Sequence, residues 1–355
     1  MESRRKIGFS SGPRHGTIAE NIRQNSFHLI TATLQLQPEL SKIAQRISKE
    51  TGIPDLVEIL AERVTPTDLQ SLLMEVYGRI AKRRIPRRIL ADYIGHRLTQ
   101  PSRLNPSRII QWDHVAFSSL PNGFETIELS PTIPLGSVSS IAPVSQDWIL
   151  TTIRNTEVIS DPTNALALEC AVRRQKLTRK NPADSSTVNL ACSHRVLRAQ
   201  RYQDPNALAH FRLLSLCSAG RDTGNFRFEK ASIAKHVRFY RHAITQFIGH
   251  DIPLRVTFND LSPGAVHADL LTEIIDGLSK ELPSTLVELE ESKSTTRGYY
   301  QQFRFHIHAE HKGKWVELVD GGHTDWTRKL LNNAKERLVT SGIGSERLCE
   351  TFASP

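Results

Sequence analysis

The stretch Tyr299–Ala309 constrains the fold more than any other part of the chain. Phe303, Phe305, Ile307 and Ala309 fall on one side of an extended segment, and Arg304, His306 and His308 fall on the other. A period of two excludes a helix here. The run Trp315–Val319 follows after a short gap, so the two segments form a hairpin. Apolar stripes at helical spacing also occur: Ile233, Val237, Tyr240, Ile244, Phe247 and Ile248 form one, and Leu270, Leu271, Ile274, Ile275 and Leu278 form another. Hairpins and amphipathic helices in one chain predict an α+β fold with a largely antiparallel sheet flanked by helices. Further strands are expected at Phe124–Leu129, ending at Ser130-Pro131, at His210–Cys217 and at Leu286–Leu289. A helix is expected over Ala165–Arg173. A polar loop is expected over Ser218–Asn225. Asp320-Gly321-Gly322 reads as a turn before a helix carrying Trp326, Leu330 and Leu331.

The N-terminal third reads differently. Residues 1–26 are rich in Ser, Gly, Arg and Asn without periodicity and predict a flexible arm. Residues 27–107 predict a small basic helical domain. Its clearest helix starts at Thr65-Pro66, where Thr65 suits the N-cap and Pro66 the first turn. It continues through Leu69, Leu72, Leu73, Val76, Tyr77 and Ile80, and Pro86 should stop it. The Pro- and Ser-containing run Gln100–Ser107 reads as a linker, so residues 108–355 form the main domain. Residues 1–110 hold 18 Lys/Arg and 10 Asp/Glu, against 28 and 27 in the rest. The densest cluster is Lys82-Arg83-Arg84-Ile85-Pro86-Arg87-Arg88. Such a run suits a polyanion or acidic partner, or a solvated helix end.

Composition removes several classes. With 355 residues and 39% hydrophobic content, the chain can build real cores. No apolar run approaches the roughly 18–20 residues of a membrane span. The four cysteines lie far apart with no CxxC pair, which disfavours a cysteine zinc site or a disulfide framework. A soluble, cytoplasmic protein is expected.

Three arginines sit where phosphate chemistry would use them. Arg212 follows Phe211 in a strand, Arg221 follows Gly220, and Arg347 closes Gly342-Ile343-Gly344-Ser345-Glu346-Arg347. A guanidinium donates two parallel hydrogen bonds to phosphate or carboxylate. With Arg297-Gly298-Tyr299-Tyr300, Gly321-Gly322-His323-Thr324-Asp325, and Gly123-Phe124 through Pro131, these segments stand in the order found in class II aminoacyl-tRNA synthetases. The chain from 108 to 355 resembles that catalytic core, most closely the histidyl type, without its C-terminal anticodon-binding domain.

The resemblance implies ATP and Mg²⁺ as cofactors and an acid activated as an adenylate for a non-canonical acceptor. It implies that Arg212 and Arg347 are catalytic, with Arg221 joining them on the phosphates. It implies a pocket of Glu157, Thr163, Arg297, Tyr299, Tyr300, Asp320 and His323, and a homodimer through the Gly123–Pro131 segment. A carrier protein, an RNA or a regulatory partner would engage residues 27–107. The segment also departs from the family pattern: Leu214 stands where the family has a glutamate, and His323 where it has an arginine. The resemblance therefore also allows an inactive paralogue acting as a regulatory or binding subunit. A nucleic-acid-associated factor working through the basic N-terminal part is a third reading. His306, His308 and His311 lack a carboxylate or cysteine partner at metal-site spacing, so no metal site is assigned. Cys192-Ser193-His194 lacks a third member for a nucleophilic triad.

Overall fold

The computed structural model describes residues 41–200, 208–290 and 298–352. The arm at 1–26 and the candidate Arg297 lie outside the described residues. The chain divides into two compact units between Leu69 and Gln70.

In the first unit, α1 (Lys42–Thr51) is capped by Ser41, whose Oγ accepts from the Ala44 N–H at 3.2 Å. Gly52 ends it at φ 72°, a conformation that glycine adopts without strain. At Thr65 the hydroxyl accepts from the Asp68 N–H at 3.2 Å and donates to the Asp68 carboxylate at 2.9 Å. This reciprocal cap opens α2 (Pro66–Lys82) as the sequence predicts.

In the second unit, α3 (Pro86–Gly95) begins at the expected helix breaker. The basic run lies between α2 and α3, where Arg84 and Arg88 both pair with Asp92. The segment expected to be a linker ends in a helix, α4 (Pro106–Ser118), that belongs to the core: Trp112 is fully buried and donates to Ser345 Oγ at 3.0 Å.

The strands are β1 (Phe124–Thr126), β2 (Thr132–Pro134), β3 (Thr156–Val158), β4 (Val188–Leu197), β5 (His210–Arg221), β6 (Leu254–Asp260), β7 (Thr285–Leu289), β8 (Phe303–His311), β9 (Lys314–Thr324) and β10 (Glu336–Gly344). Eight form one sheet in the order β1-β4-β5-β10-β9-β8-β6-β7, and β2 pairs with β3. Every contact from β4 to β6 is antiparallel; only the edge pairs β1–β4 and β6–β7 are parallel. The expected hairpin is β8–β9. Further helices are α5 (Pro162–Lys180), α6 (Arg227–Ile248), α7 (Ala268–Glu281), α8 (Trp326–Leu331) and α9 (Ser345–Thr351), and short turns of helix lie at Leu56–Glu58 and Ser137–Ile141.

The sheet separates two apolar layers. One holds Leu214, Leu216, Phe305, Val319 and Ile343 against α4, α6, α7 and α9. The other holds Leu190, Cys217, Ala219 and Leu338 against α5 and Trp326 of α8. A fully buried ion pair ties α5 to β10: Arg174 meets Glu336 through two bonds of 2.9 Å and also reaches Asp184.

Three expectations change. β5 runs on to Arg221, so Ser218–Arg221 is strand and not loop. β1 stops at Thr126, well short of Leu129. Asp320-Gly321-Gly322 is no turn: all three lie inside β9. The two glycines serve close approach. A β-carbon on Gly321 would stand 2.6 Å from Phe305 and Ser341, and one on Gly322 would stand 2.6 Å from the Phe303 carbonyl and 2.8 Å from the Tyr300 ring.

Candidate functional site

The sheet face opposite α4 and α6 carries a cleft of about 610 Å³, opening beside a second chamber of about 520 Å³. Asp161, Arg198, Tyr299, Tyr300 and Asp320 line both. Alternation along the strands sets the floor. Leu213 and Ser215 of β5, Gly342 of β10 and Asp320 of β9 point to this face, because their neighbours Leu214, Val319 and Ile343 fill the opposite core.

Two carboxylates hold the centre, each fastened by a tyrosine. Tyr299 donates to Asp161 at 2.9 Å and Tyr300 donates to Asp320 at 3.0 Å. Tyr300 can lie over β9 because Gly322 has no side chain there. The tyrosine rings meet edge to face at 4.9 Å, and Tyr299 rests against the buried Trp326 at 5.1 Å. Asp161 also caps α5, accepting from the Thr163 N–H at 2.9 Å and the Thr163 hydroxyl at 2.7 Å. Arg198 reaches Asp161 at 3.7 Å, donates to the Ser160 carbonyl at 2.8 Å and lies over the Phe211 ring. Asp320 is exposed to the cleft, and desolvation by the cleft walls pushes its carboxyl up to about 6, against the opposing hydrogen bond from Tyr300. Burial likewise raises both tyrosine hydroxyls.

The candidates from the sequence separate into groups. Thr163, Tyr299, Tyr300 and Asp320 converge on the cleft as expected, and Arg347 stands at its rim, donating to the Glu317 carbonyl at 3.2 Å. Arg212 borders the cleft, but its guanidinium is taken by Asp113 of α4 at 3.0 Å and Ser193 at 2.8 Å. The physical reason is register: Arg212 shares a strand face with Leu214, which packs under the helices. Arg221 lies nine residues further along β5, roughly 30 Å away at strand rise, and donates to the Pro182 carbonyl at 2.9 Å. The three arginines do not converge. Glu157 is buried and consumed locally. It accepts from the Gly136 and Val138 N–H groups at 2.8 and 2.9 Å and from Gln146 at 2.9 Å. His323 sits on the opposite sheet face near Glu229 and Arg337, where burial lowers it to about 4.

Residues the sequence reading missed are Asp161, Arg198, Arg304, Arg103 and Glu317. Asp161 had a signal, since an acidic residue before proline is a helix start. Arg195 is the arginine that precedes the β4–β5 connection. It pairs with Glu346 of α9 and faces His210 Nδ1 at 2.8 Å. Arg212 is its register partner on the next strand.

Strand order, helical layers and the cleft position define a class II aminoacyl-tRNA synthetase-like core. Two solved structures give the resemblance its particular direction. One is an ATP phosphoribosyltransferase regulatory subunit/histidyl-tRNA synthetase from Bacillus halodurans: TM-score 0.55, 14% identity, covering 72% of this chain and 82% of that one. The other is the apo histidyl-tRNA synthetase of S. aureus: TM-score 0.50, 14% identity, covering 71% and 69%. At this identity the likeness is one of fold. No protein-family model matches the chain, and no curated protein matches it in sequence.

Proposed function

We propose that the cleft binds an amino acid or a closely similar small zwitterion, and that the protein acts as a binding or regulatory subunit on a class II synthetase-like core. The observation that carries this is the paired arrangement Asp161–Tyr299 and Asp320–Tyr300, with Arg198 and Arg304 beside it, at the mouth of a chamber walled by Val138, Pro143, Val144 and Ile149. Carboxylates receive an ammonium group, guanidinium groups receive a carboxylate, and the apolar walls accept a side chain. The Bacillus halodurans neighbour bears a regulatory subunit's name, which supports the same role here. Titration calorimetry of the full chain against the twenty amino acids tests the reading. Saturable binding that Asp320→Asn and Arg198→Ala each weaken at least about tenfold is expected; no heat and no thermal shift with any amino acid would sink it.

A second reading keeps adenylate formation. Arg103, Arg198 and Arg347 line the outer cleft and suit phosphates, with Mg²⁺ between phosphate oxygens. Against it, the same cleft presents Glu317, Glu346 and Glu350, and Arg212 is already paired with Asp113. Pyrophosphate exchange in the presence of each bound acid decides between the two. A homodimer through β1 and a partner docked on the basic helices belong to either reading.

A further inference from the structure

Asn164 follows Thr163 in the first turn of α5 and lines the inner chamber. Its side chain is fully buried, and neither Oδ1 nor Nδ2 has a hydrogen-bond partner. Among the described residues it is the one side chain with two polar atoms in that condition. Its backbone N–H is used normally, donating to the Asp161 carbonyl at 3.3 Å. Polar side chains that line the same chamber, among them Ser160, Arg198, Gln200 and Arg304, make no hydrogen bond to the Asn164 carboxamide. A buried carboxamide left unpaired destabilises the protein, and natural sequences keep such groups where something else completes them.

We infer that Asn164 is a specificity-determining residue that reads the far end of the ligand's side chain. The inference rests on the amino-acid reading above and narrows it. Asp161 is the N-cap and Asn164 the third helical residue of α5, so both belong to the first turn and both line the inner chamber. A ligand whose ammonium group meets Asp161 therefore brings a short side chain to Asn164. The carboxamide donates and accepts, so the matching group must also do both: a carboxamide, an imidazole or a hydroxyl. An aliphatic side chain of equal size leaves both atoms of Asn164 unpaired and is rejected. This is the condition under which a polar site discriminates strongly.

The test is calorimetry on the full chain with L-asparagine, L-glutamine, L-histidine and L-serine against L-leucine and L-norvaline, with L-alanine as the side-chain-free reference. The wild type is expected to prefer at least one polar ligand over its aliphatic counterpart by about 30-fold or more. Asn164→Leu should reduce that preference below about threefold while leaving L-alanine affinity within about twofold. Asn164→Asp, whose ionised carboxylate accepts but cannot donate, should favour L-histidine over L-glutamine at a pH where imidazolium and carboxylate are both charged. A wild type that favours leucine, or an Asn164→Leu protein that keeps the polar preference, overturns the inference alone. Loss of L-alanine binding in a folded Asn164→Leu protein assigns Asn164 a structural role and also overturns it. If the wild type binds no amino acid, the amino-acid reading falls and this inference falls with it.

Discussion

One methyl group at Gly322 is enough to disturb the cleft. A β-carbon there would stand 2.8 Å from the Tyr300 ring and 2.6 Å from a backbone oxygen that cannot move away. Gly322→Ala should push Tyr300 off Asp320 and lower amino-acid affinity at least about tenfold, measured by calorimetry. Asp320 itself makes a pH prediction. Desolvation within the cleft raises its carboxyl to about 6, so the ligand-free folded protein keeps a proton that the unfolded chain has already released between roughly pH 4 and 6. This group's contribution to stability is therefore present below about pH 4 and lost as pH rises through about 6. Binding of an ammonium group runs the other way: affinity should rise as pH rises through about 6, with proton release. Asp320→Asn should flatten that slope. Arg212 offers a contrast. With its guanidinium held by Asp113 and Ser193, Arg212→Ala should leave ligand affinity within about twofold while lowering the melting temperature, because it strands a half-buried carboxylate.

At the scale of elements, what could be read from the sequence followed periodicity. The stripes of α6 and α7 and the alternation of β8 announce themselves because one face is buried and the other wet. β10 carries no such signal. Its central residues Thr340, Ser341 and Gly342 are small, and the sheet buries both of its faces, so no alternation marks it. The candidate site was legible for the same mixed reasons. Tyr299, Tyr300 and Asp320 were legible through the resemblance to the synthetase motifs, whereas the side of the sheet that Arg212 or His323 faces depends on register set by strands far away in sequence. Glu157 was misread because a carboxylate near a pocket and one capping two backbone N–H groups look alike in sequence. The Arg174–Glu336 link belongs to this scale. Arg174→Met leaves Glu336 buried without its cation and should cost about 3–5 kcal/mol, measured by denaturant unfolding. The Arg174→Met, Glu336→Leu double variant should recover much of that loss.

At the scale of the whole molecule, α3 stands apart from the cleft in composition. Ile85, Ile89, Leu90, Tyr93 and Ile94 are all exposed, beside the basic run Lys82–Arg88. That combination predicts salt-sensitive retention on a polyanion such as heparin. Reversing charge at Arg83, Arg87 and Arg88 should abolish retention at moderate salt without changing amino-acid affinity, since none of these residues lines the cleft. No helix among the described residues is long and apolar enough to cross a membrane.

The wall common to the two chambers has a thermodynamic consequence. Asp161, Asp320 and their tyrosines cannot answer to one guest without changing what they offer another. A cation seated on the inner side displaces the Asp320 proton, and a group that binds from the outer side meets an ionised carboxylate already paired with that cation. Linkage makes this mutual: each occupant alters the other's dissociation constant by the same factor. Occupancy of one chamber should therefore be read out as a shifted affinity in the other, measurable by calorimetry with a second ligand present.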